Sequence, residues 1–467
     1  MKYSVITFGC RVNQADSLGI EEEFLAGGAQ AAAPEDSDVV VVNTCSVTAS
    51  ADQAARQTIR RVSRVNPDAK IIVTGCYATR RPDEVASLPN VLRVISNAEK
   101  HDLVRSVRLQ PDLAAFQQDL STAERFGDGD GSCGAAIQPG VAGRTAFTLR
   151  VQTGCSEPCS YCIIPTTRGL PVSLPLERIL AEVKRVVAAG FKEIALTGVH
   201  LGSYGRDLTP RSTLIELLRA IDWTWGRPEG RPLDSERPEG RSLHSERPEG
   251  RSLHSEVGRG RPSGRPEVLF RISSLEPMDC TPEIVDLVAA STTFAAHFHL
   301  PLQHASHRVL SAMRRPYTID FYRNLVDRIR RLMPHASIGS DIIVGFPGET
   351  DDDFEQLAGY LESSALTHLH VFPYSDRPGT PAAAMPNHVH GEIVRQRANR
   401  VRTISQRLSA EFHRSQVGTT HRALTLDDGS VAVTGNYLKL KIPNGRARNE
   451  WVDVRLLSEH DGELLGG

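Results

Sequence analysis

Residues 154–165 read GCSEPCSYCIIP and set Cys155, Cys159 and Cys162 in the spacing C-x3-C-x2-C. Thiolates are soft ligands that suit iron–sulfur clusters or zinc. Three of them share one tight loop and no fourth lies nearby, whereas structural zinc and ordinary cubane sites take four protein ligands. Three thiolates on a cubane leave one iron open, and an open position is what catalysis at a metal needs. Half a zinc site or a group of buried cysteines is the competing reading.

Outward from this loop, apolar runs at 193–197, 269–273, 298–301, 337–344 and 369–372 are separated by helical segments such as 176–189 and 320–332. Repeated βα units in that number predict a complete or partial barrel of parallel strands, similar to a TIM barrel. Upstream, runs at 3–8, 39–42 and 71–73 alternate with amphipathic stretches such as 52–65, the pattern of a parallel α/β domain. Between them, residues 112–143 decay into Gly, Asp and Ala and suit a linker. Downstream, a basic helical segment at 392–414 precedes short alternating strands over 422–457, with turns at DDG, TGN and PNG, which predict a small β-barrel. The fold class is α/β in three parts: an N-terminal domain at 1–125, a central barrel domain at 141–376 and a C-terminal domain at 408–467.

Residues 227–256 are three near-copies of a decapeptide, RPEGRPLDSE, RPEGRSLHSE and RPEGRSLHSE. One Leu per unit cannot build a core, so 227–265 is expected to be a disordered insertion in a loop. An Arg-rich RNA tether is the alternative, weakened by acidic residues that largely cancel the arginines.

A chain of 467 residues suits two or three domains, and its 40% hydrophobic and 24% charged content is ordinary for a globular protein. The net charge of −2 excludes a chain-wide pull toward nucleic acid, so any polyanion must meet a local patch. From residue 395 onward there are 12 Lys/Arg against 8 Asp/Glu, a modest surplus. No run approaches the ~18 apolar residues of a membrane span, and no cleavable leader is visible. The cytoplasm is the expected compartment, and there eight cysteines point to metal or redox chemistry.

Three further cysteines each follow an apolar run: Cys10 in YSVITFGC, Cys45 in DVVVVNTC and Cys76 in AKIIVTGC. In a parallel α/β sheet the C-terminal strand ends share one crevice, so the three could converge on one metal. Taken alone, buried structural cysteines are the favoured reading.

The C-x3-C-x2-C loop resembles the signature of the radical S-adenosylmethionine (SAM) superfamily, and TFGCRVNQADS, NTCSVT and VTGCYA resemble the N-terminal domain of its methylthiotransferases. The resemblance implies two 4Fe–4S clusters, one on Cys155, Cys159 and Cys162 that binds SAM and cleaves it to a radical. The other, on Cys10, Cys45 and Cys76, holds the transferred sulfur. Tyr161 matches the aromatic that packs by the adenine. Further motifs in family order imply cofactor contacts at Thr197 and Gly198 in LTGVHLGSYGRD, Ser274 and Glu276 in RISSLEP, Gln303 in HLPLQHAS and Gly345 in SDIIVGFPGET. VFPYSDRPGTPA resembles a later motif of the family. Cys133 and Cys280 match nothing in the pattern and are left unliganded.

The C-terminal part resembles the small RNA-binding barrel, the TRAM domain, of this family, through GNYLKLKIP and NEWVDVRL. Asn436, Tyr437, Lys439, Lys441 and Arg446 are its candidate RNA contacts, with core packing of Tyr437 as the alternative. Family members act on isopentenyladenosine in tRNA, on threonylcarbamoyladenosine in tRNA, or on a ribosomal-protein aspartate. GCRVNQADS and TGVHLGSYG resemble the threonylcarbamoyladenosine branch most. Arg168, Arg314 and Arg315 are candidates to meet that substrate's carboxylate. The resemblance implies tRNA as partner, an electron donor such as flavodoxin or ferredoxin, and a monomer. A non-catalytic iron–sulfur RNA-binding protein is the reading from another class.

Overall fold

The computed structural model describes residues 1–108, 139, 145–226, 267–460 and 462–467; most of the expected linker, Cys133 and the whole decapeptide insertion lie outside these residues. β1 (Lys2–Thr7), β2 (Gln30–Ala31), β3 (Val39–Thr44), β4 (Lys70–Gly75) and β5 (Val91–Val94) form a parallel sheet in the order β2-β1-β3-β4-β5. Every residue of β3, VVVVNT, is buried, as a central strand covered on both faces requires. Its side chains alternate: Val39 and Val41 pack with Phe24 of α1 (Arg11–Ala26), and Val40 and Val42 with Ile59 of α2 (Ala49–Val65). The short helices α3 (Cys76–Arg80) and α4 (Pro82–Ala86) follow β4, and α5 (Leu103–Arg108) joins the Phe24 side.

The central part begins with β6 (Phe147–Arg150). The antiparallel pair β7 (Gln152–Thr153) and β8 (Val172–Ser173) brackets the cysteine loop and α6 (Ile164–Arg168). After α7 (Leu176–Ala188) come β9 (Glu193–Thr197), α8 (Leu214–Trp225), β10 (Leu269–Ile272) and α9 (Pro282–Ala290). The second half carries β11 (His297–His299), α10 (His307–Ala312), α11 (Ile319–Leu332), β12 (Ser337–Val344), α12 (Asp351–Ser363) and β13 (His368–Pro373). Two parallel three-stranded sheets, β10-β9-β6 and β11-β12-β13, are joined by a bridge between Phe270 and Phe294. The result is the partial barrel expected from the sequence. The runs at 193–197 and 337–344 coincide with β9 and β12, while the run at 298–301 corresponds to β11 shifted to His297–His299. Capping boxes start α8, through Thr213 and Glu216, and α12, through Thr350 and Asp353.

The long helix α13 (Gly391–Gln416) lies along β13, where the Ser405 hydroxyl accepts from the Leu369 amide at 3.0 Å. It leads into a closed barrel of β14 (Thr420–Leu426), β15 (Val431–Thr434), β16 (Lys439–Lys441), β17 (Trp451–His460) and β18 (Glu463–Gly466), in the order β14-β15-β16-β18-β17. Ala423, Ala432, Leu440, Val454 and Leu456 fill it. Arg271 ties this barrel to the central one: its guanidinium is paired with Glu193 and donates to the Gly435 and Thr434 carbonyls at 3.0 and 3.3 Å. Among the described residues no helix is long and apolar enough to cross a membrane.

Candidate active site

Cys10, Cys45 and Cys76 stand at the C-terminal ends of β1, β3 and β4, on three neighbouring strands of one sheet. Side-chain hydrogen bonds lock these ends together. The Asn13 amide donates to the carbonyls of Phe8 (2.8 Å) and Thr44 (2.9 Å), and the Thr44 hydroxyl donates to the Thr74 carbonyl at 2.6 Å. Gly9, at φ 85°, presses on the second strand end: a Cβ there would lie 2.5 Å from Cys45 Sγ. Any side chain at position 9 would therefore push Cys10 and Cys45 apart. Cys45 and Cys76 are buried and Cys10 is exposed, so the site opens to one side. Burial pushes the Cys45 thiol up to about 12, and the charges of Cys10 and Cys76 add to the effect. Such a thiol is neutral at pH 7 unless a metal displaces its proton, which is the chemistry of a cluster ligand.

The Cys155–Cys162 loop is held in the same way. The Cys155 amide donates to the Gly169 carbonyl at 3.0 Å and the Cys162 amide to the Cys159 carbonyl at 3.2 Å. Burial raises Cys155 to about 11 and Cys162 to about 12, with neighbouring cysteine charges contributing to both. All three thiols are free, and a set of three thiols fits a cubane with one open iron. Arg315 donates to Cys159 Sγ at 3.2 Å; it is paired with Glu276 and bonded to the Tyr317 hydroxyl at 3.1 Å.

A cleft opens beside Cys162 and reaches the segment that follows Cys45. It holds about 730 Å³, counting the space at its open mouth, and its lining includes Tyr161, Cys162, Gln303 and Asp341. Val47 and Thr48, two and three residues past Cys45, also line it. Arg377 fixes this junction by donating to the Val47 carbonyl and to Asp52, both at 3.2 Å. Asp52 in turn takes Ser46 (2.8 Å) and Arg80, so the Cys45 loop is anchored from both domains.

The cofactor residues proposed from motifs divide into groups. Tyr161 and Gln303 line the cleft, and Gln303 is held at φ 68° by its amide bond to the Asp341 carbonyl at 2.9 Å. Thr197 ends β9, Gly198 follows it packed beside Gln152, and Ser274 is exposed just past β10. Glu276 reaches the cysteine loop through Arg315. Gly345 lies at the end of β12 against Val394 and gives its amide to Glu349 at 2.7 Å.

Two of the three arginines proposed to meet a substrate carboxylate are already engaged. Arg168 has a side chain only 3% exposed, donates to Asn13 and is paired with Asp16 at 3.0 Å. Arg315 is committed to Glu276 and Cys159, leaving Arg314 as the exposed one. In the C-terminal barrel Asn436 is also withdrawn from any RNA contact: it is 4% exposed and donates to the His335 carbonyl at 2.8 Å. Tyr437 packs over Arg271 (4.7 Å) and His297 (4.8 Å) yet stays half exposed. Lys439, Lys441 and Arg446 are exposed, the last two beside Glu463 and Glu450. Cys280 is buried, and burial raises its thiol to about 12.

Residues missed from sequence are Val47, Thr48, Arg377 and a set of histidines inside the central barrel. The signal for the histidines is the pair of H-x-H strands, HFH at 297–299 and HLH at 368–370, since alternate residues of a strand share a face.

Family models match at residues 2–96, to Uncharacterized protein family UPF0004, and at residues 149–361, to the Radical SAM superfamily. The chain is 33% identical to the threonylcarbamoyladenosine tRNA methylthiotransferase MtaB of Bacillus subtilis (strain 168), over 87% of this chain and 80% of that one. It is 32% identical to MtaB of Aquifex aeolicus (strain VF5), over 94% and 96%. A tRNA-2-methylthio-N(6)-dimethylallyladenosine synthase from Janthinobacterium sp. (strain Marseille) is 30% identical over 100% and 94%. Among solved structures, the radical SAM methyltransferase TsrM from Kitasatospora setae shares the fold, with a TM-score of 0.51 at 15% identity over 82% of this chain and 76% of that one. The chain belongs to the MtaB-like radical SAM methylthiotransferases, tRNA-modifying enzymes that use SAM and 4Fe–4S clusters.

Proposed function

We propose that this enzyme converts N6-threonylcarbamoyladenosine next to the anticodon of tRNA to its 2-methylthio derivative. The observation that carries the transfer chemistry is a cleft bordered by Cys162 and by Val47 and Thr48, which follow Cys45. When bound, a cluster on Cys155, Cys159 and Cys162 would supply the electron that cleaves SAM, and one on Cys10, Cys45 and Cys76 would hold the sulfur to be methylated and transferred. A base bound in this cleft would lie against Cys162 and against Val47 and Thr48, which follow Cys45 in the chain.

The chain's own residues set the conditions. Arg315 places an N–H on Cys159 Sγ, and a hydrogen bond to a ligand sulfur favours the reduced, more negative state. Glu276 and Tyr317 keep Arg315 aimed at that sulfur, a positioning role. Tyr161 and Gln303 line the space where SAM and the base must meet. A flavodoxin or ferredoxin suits the one-electron step as donor. Lys439, Lys441 and Arg446 remain exposed for tRNA phosphates.

The substrate assignment is supported by the activity named for the Bacillus subtilis and Aquifex aeolicus relatives. Dimethylallyladenosine is the second reading, because a relative named for that substrate matches nearly end to end. The test is incubation of cluster-loaded enzyme with tRNAs carrying either modification, followed by nucleoside mass spectrometry. A methylthio product on the threonylcarbamoyl tRNA supports the proposal; a product on the dimethylallyl tRNA alone overturns it.

A further inference from the structure

Three adjacent strands of the central barrel bring ligand-type side chains to one point beside the cleft. Asp341 on β12 is in register with His370 on β13, and His299 on β11 is in register with Gly339, two residues before Asp341 on the same face. His299 Nε2 lies 2.9 Å and His370 Nδ1 3.2 Å from the same Asp341 oxygen, Oδ1. One ligand atom from each residue lies within 4.8 Å of the other two.

Gly339 makes room for this arrangement. A Cβ there would lie 2.1 Å from His368 Nε2 and 3.0 Å from His299 Nδ1, so a side chain would displace the rings. Exposure rises across the set: the side chain of His299 is 10% exposed, that of Asp341 24% and that of His370 57%. Asp341 also borders the cleft beside Cys162 and Gln303.

Two imidazoles and one carboxylate are the donor set of divalent 3d ions with open positions. Bonds of about 2.1 Å place neighbouring donors about 3.0 Å apart on an octahedral edge and about 3.4 Å apart on a tetrahedral one. The two N–O separations, 2.9 and 3.2 Å, match the octahedral edge to within about 0.2 Å. Because all three residues sit on paired strands, the spacing is fixed by the sheet itself.

We propose that His299, Asp341 and His370 bind one divalent 3d cation whose remaining positions face the cleft. Those positions suit an oxygen chelator from the substrate, and the carboxylate and hydroxyl of a threonyl group are such a pair. That second role rests on the proposed substrate, whereas the ion site does not.

The probe is Mn2+, added anaerobically to cluster-loaded protein without tRNA, with bound ion read from loss of the free Mn2+ EPR signal. Mn2+ competes poorly for thiolates, and oxidised 4Fe–4S clusters are EPR-silent, so the cysteine sites neither bind it nor obscure it. The expected result is one Mn2+ per chain, with His370→Ala and Asp341→Asn each weakening binding by at least about tenfold at unchanged iron content and melting temperature. His370 is largely exposed, so its variant also serves if the Asp341 variant folds poorly. Equal Mn2+ binding by wild type and His370→Ala, or none by either, overturns the proposal and leaves a metal-free His–Asp–His hydrogen-bonded chain. The readout uses no modified tRNA, so it fails or succeeds independently of the substrate assignment.

Discussion

The Arg168 guanidinium sits 3.0 Å from the Asp16 carboxylate, which bolts the segment after Cys162 to α1, the helix that Cys10 precedes. Asp16 also takes Lys100 at 2.9 Å and Arg150, so one buried anion serves three cations from two domains. Burial alone would raise this carboxyl, but Lys100, Arg150 and Arg168 together hold it well below the usual carboxylate range.

Asp16→Asn should therefore be costly, because it leaves Lys100 and Arg168 buried and facing each other without their anion. Removing one partner of such a buried group costs about 3–5 kcal/mol. Arg168→Met should cost less, since Asp16 keeps two cations. Chemical unfolding of both variants checks the ranking, and a loss below about 1 kcal/mol for Asp16→Asn would show that the hub contributes little.

The interior histidines give a pH dependence of defined sign. Burial lowers His368 from 6.5 to about 4, with His299 and His370 adding to the shift. Between those values the unfolded chain binds the proton and the folded one does not, so stability is full above 6.5 and falls as pH drops toward 4. At pH 5.5 the loss from this residue is about 1.4 kcal/mol. His368→Gln should shrink the difference in melting temperature between pH 7.5 and 5.5; an unchanged difference would assign the acid sensitivity elsewhere.

Neutralising Lys439, Lys441 and Arg446 together should weaken tRNA binding and flatten its salt dependence, by up to about 0.7–0.9 in log–log slope for each phosphate that is no longer neutralised. Lys441 and Arg446 already lie beside Glu463 and Glu450, but exposed pairs are worth at most about 1 kcal/mol and yield readily to phosphate. Filter binding across a salt series reads both quantities. An unchanged slope would move the tRNA-binding surface to the basic face of α13.

The parallel strands of the N-terminal sheet, and the placing of Cys10, Cys45 and Cys76 past three of their ends, were legible because they rest on local pattern: an apolar run, then a cysteine. Val39–Thr44 is a buried strand on composition alone, and Cys45 follows directly from it. The fates of Arg168 and Arg315 were not legible, because their partners Asp16 and Glu276 are distant in sequence and meet them only in the folded chain. Asn436 failed for the same reason, its partner being the His335 carbonyl. The two H-x-H strands were visible as text, but only the register of β11, β12 and β13 brings His299, Asp341 and His370 together.

The division of labour between the two cysteine sites is tested most directly by a Cys10→Ala, Cys45→Ala, Cys76→Ala triple variant, assayed for iron, deoxyadenosine and methylthiolated nucleoside. The account predicts about four irons per chain against about eight in the wild type, continued formation of deoxyadenosine, and no methylthio product. A variant that still methylthiolates tRNA, or that no longer forms deoxyadenosine while its remaining cluster is intact, would contradict it.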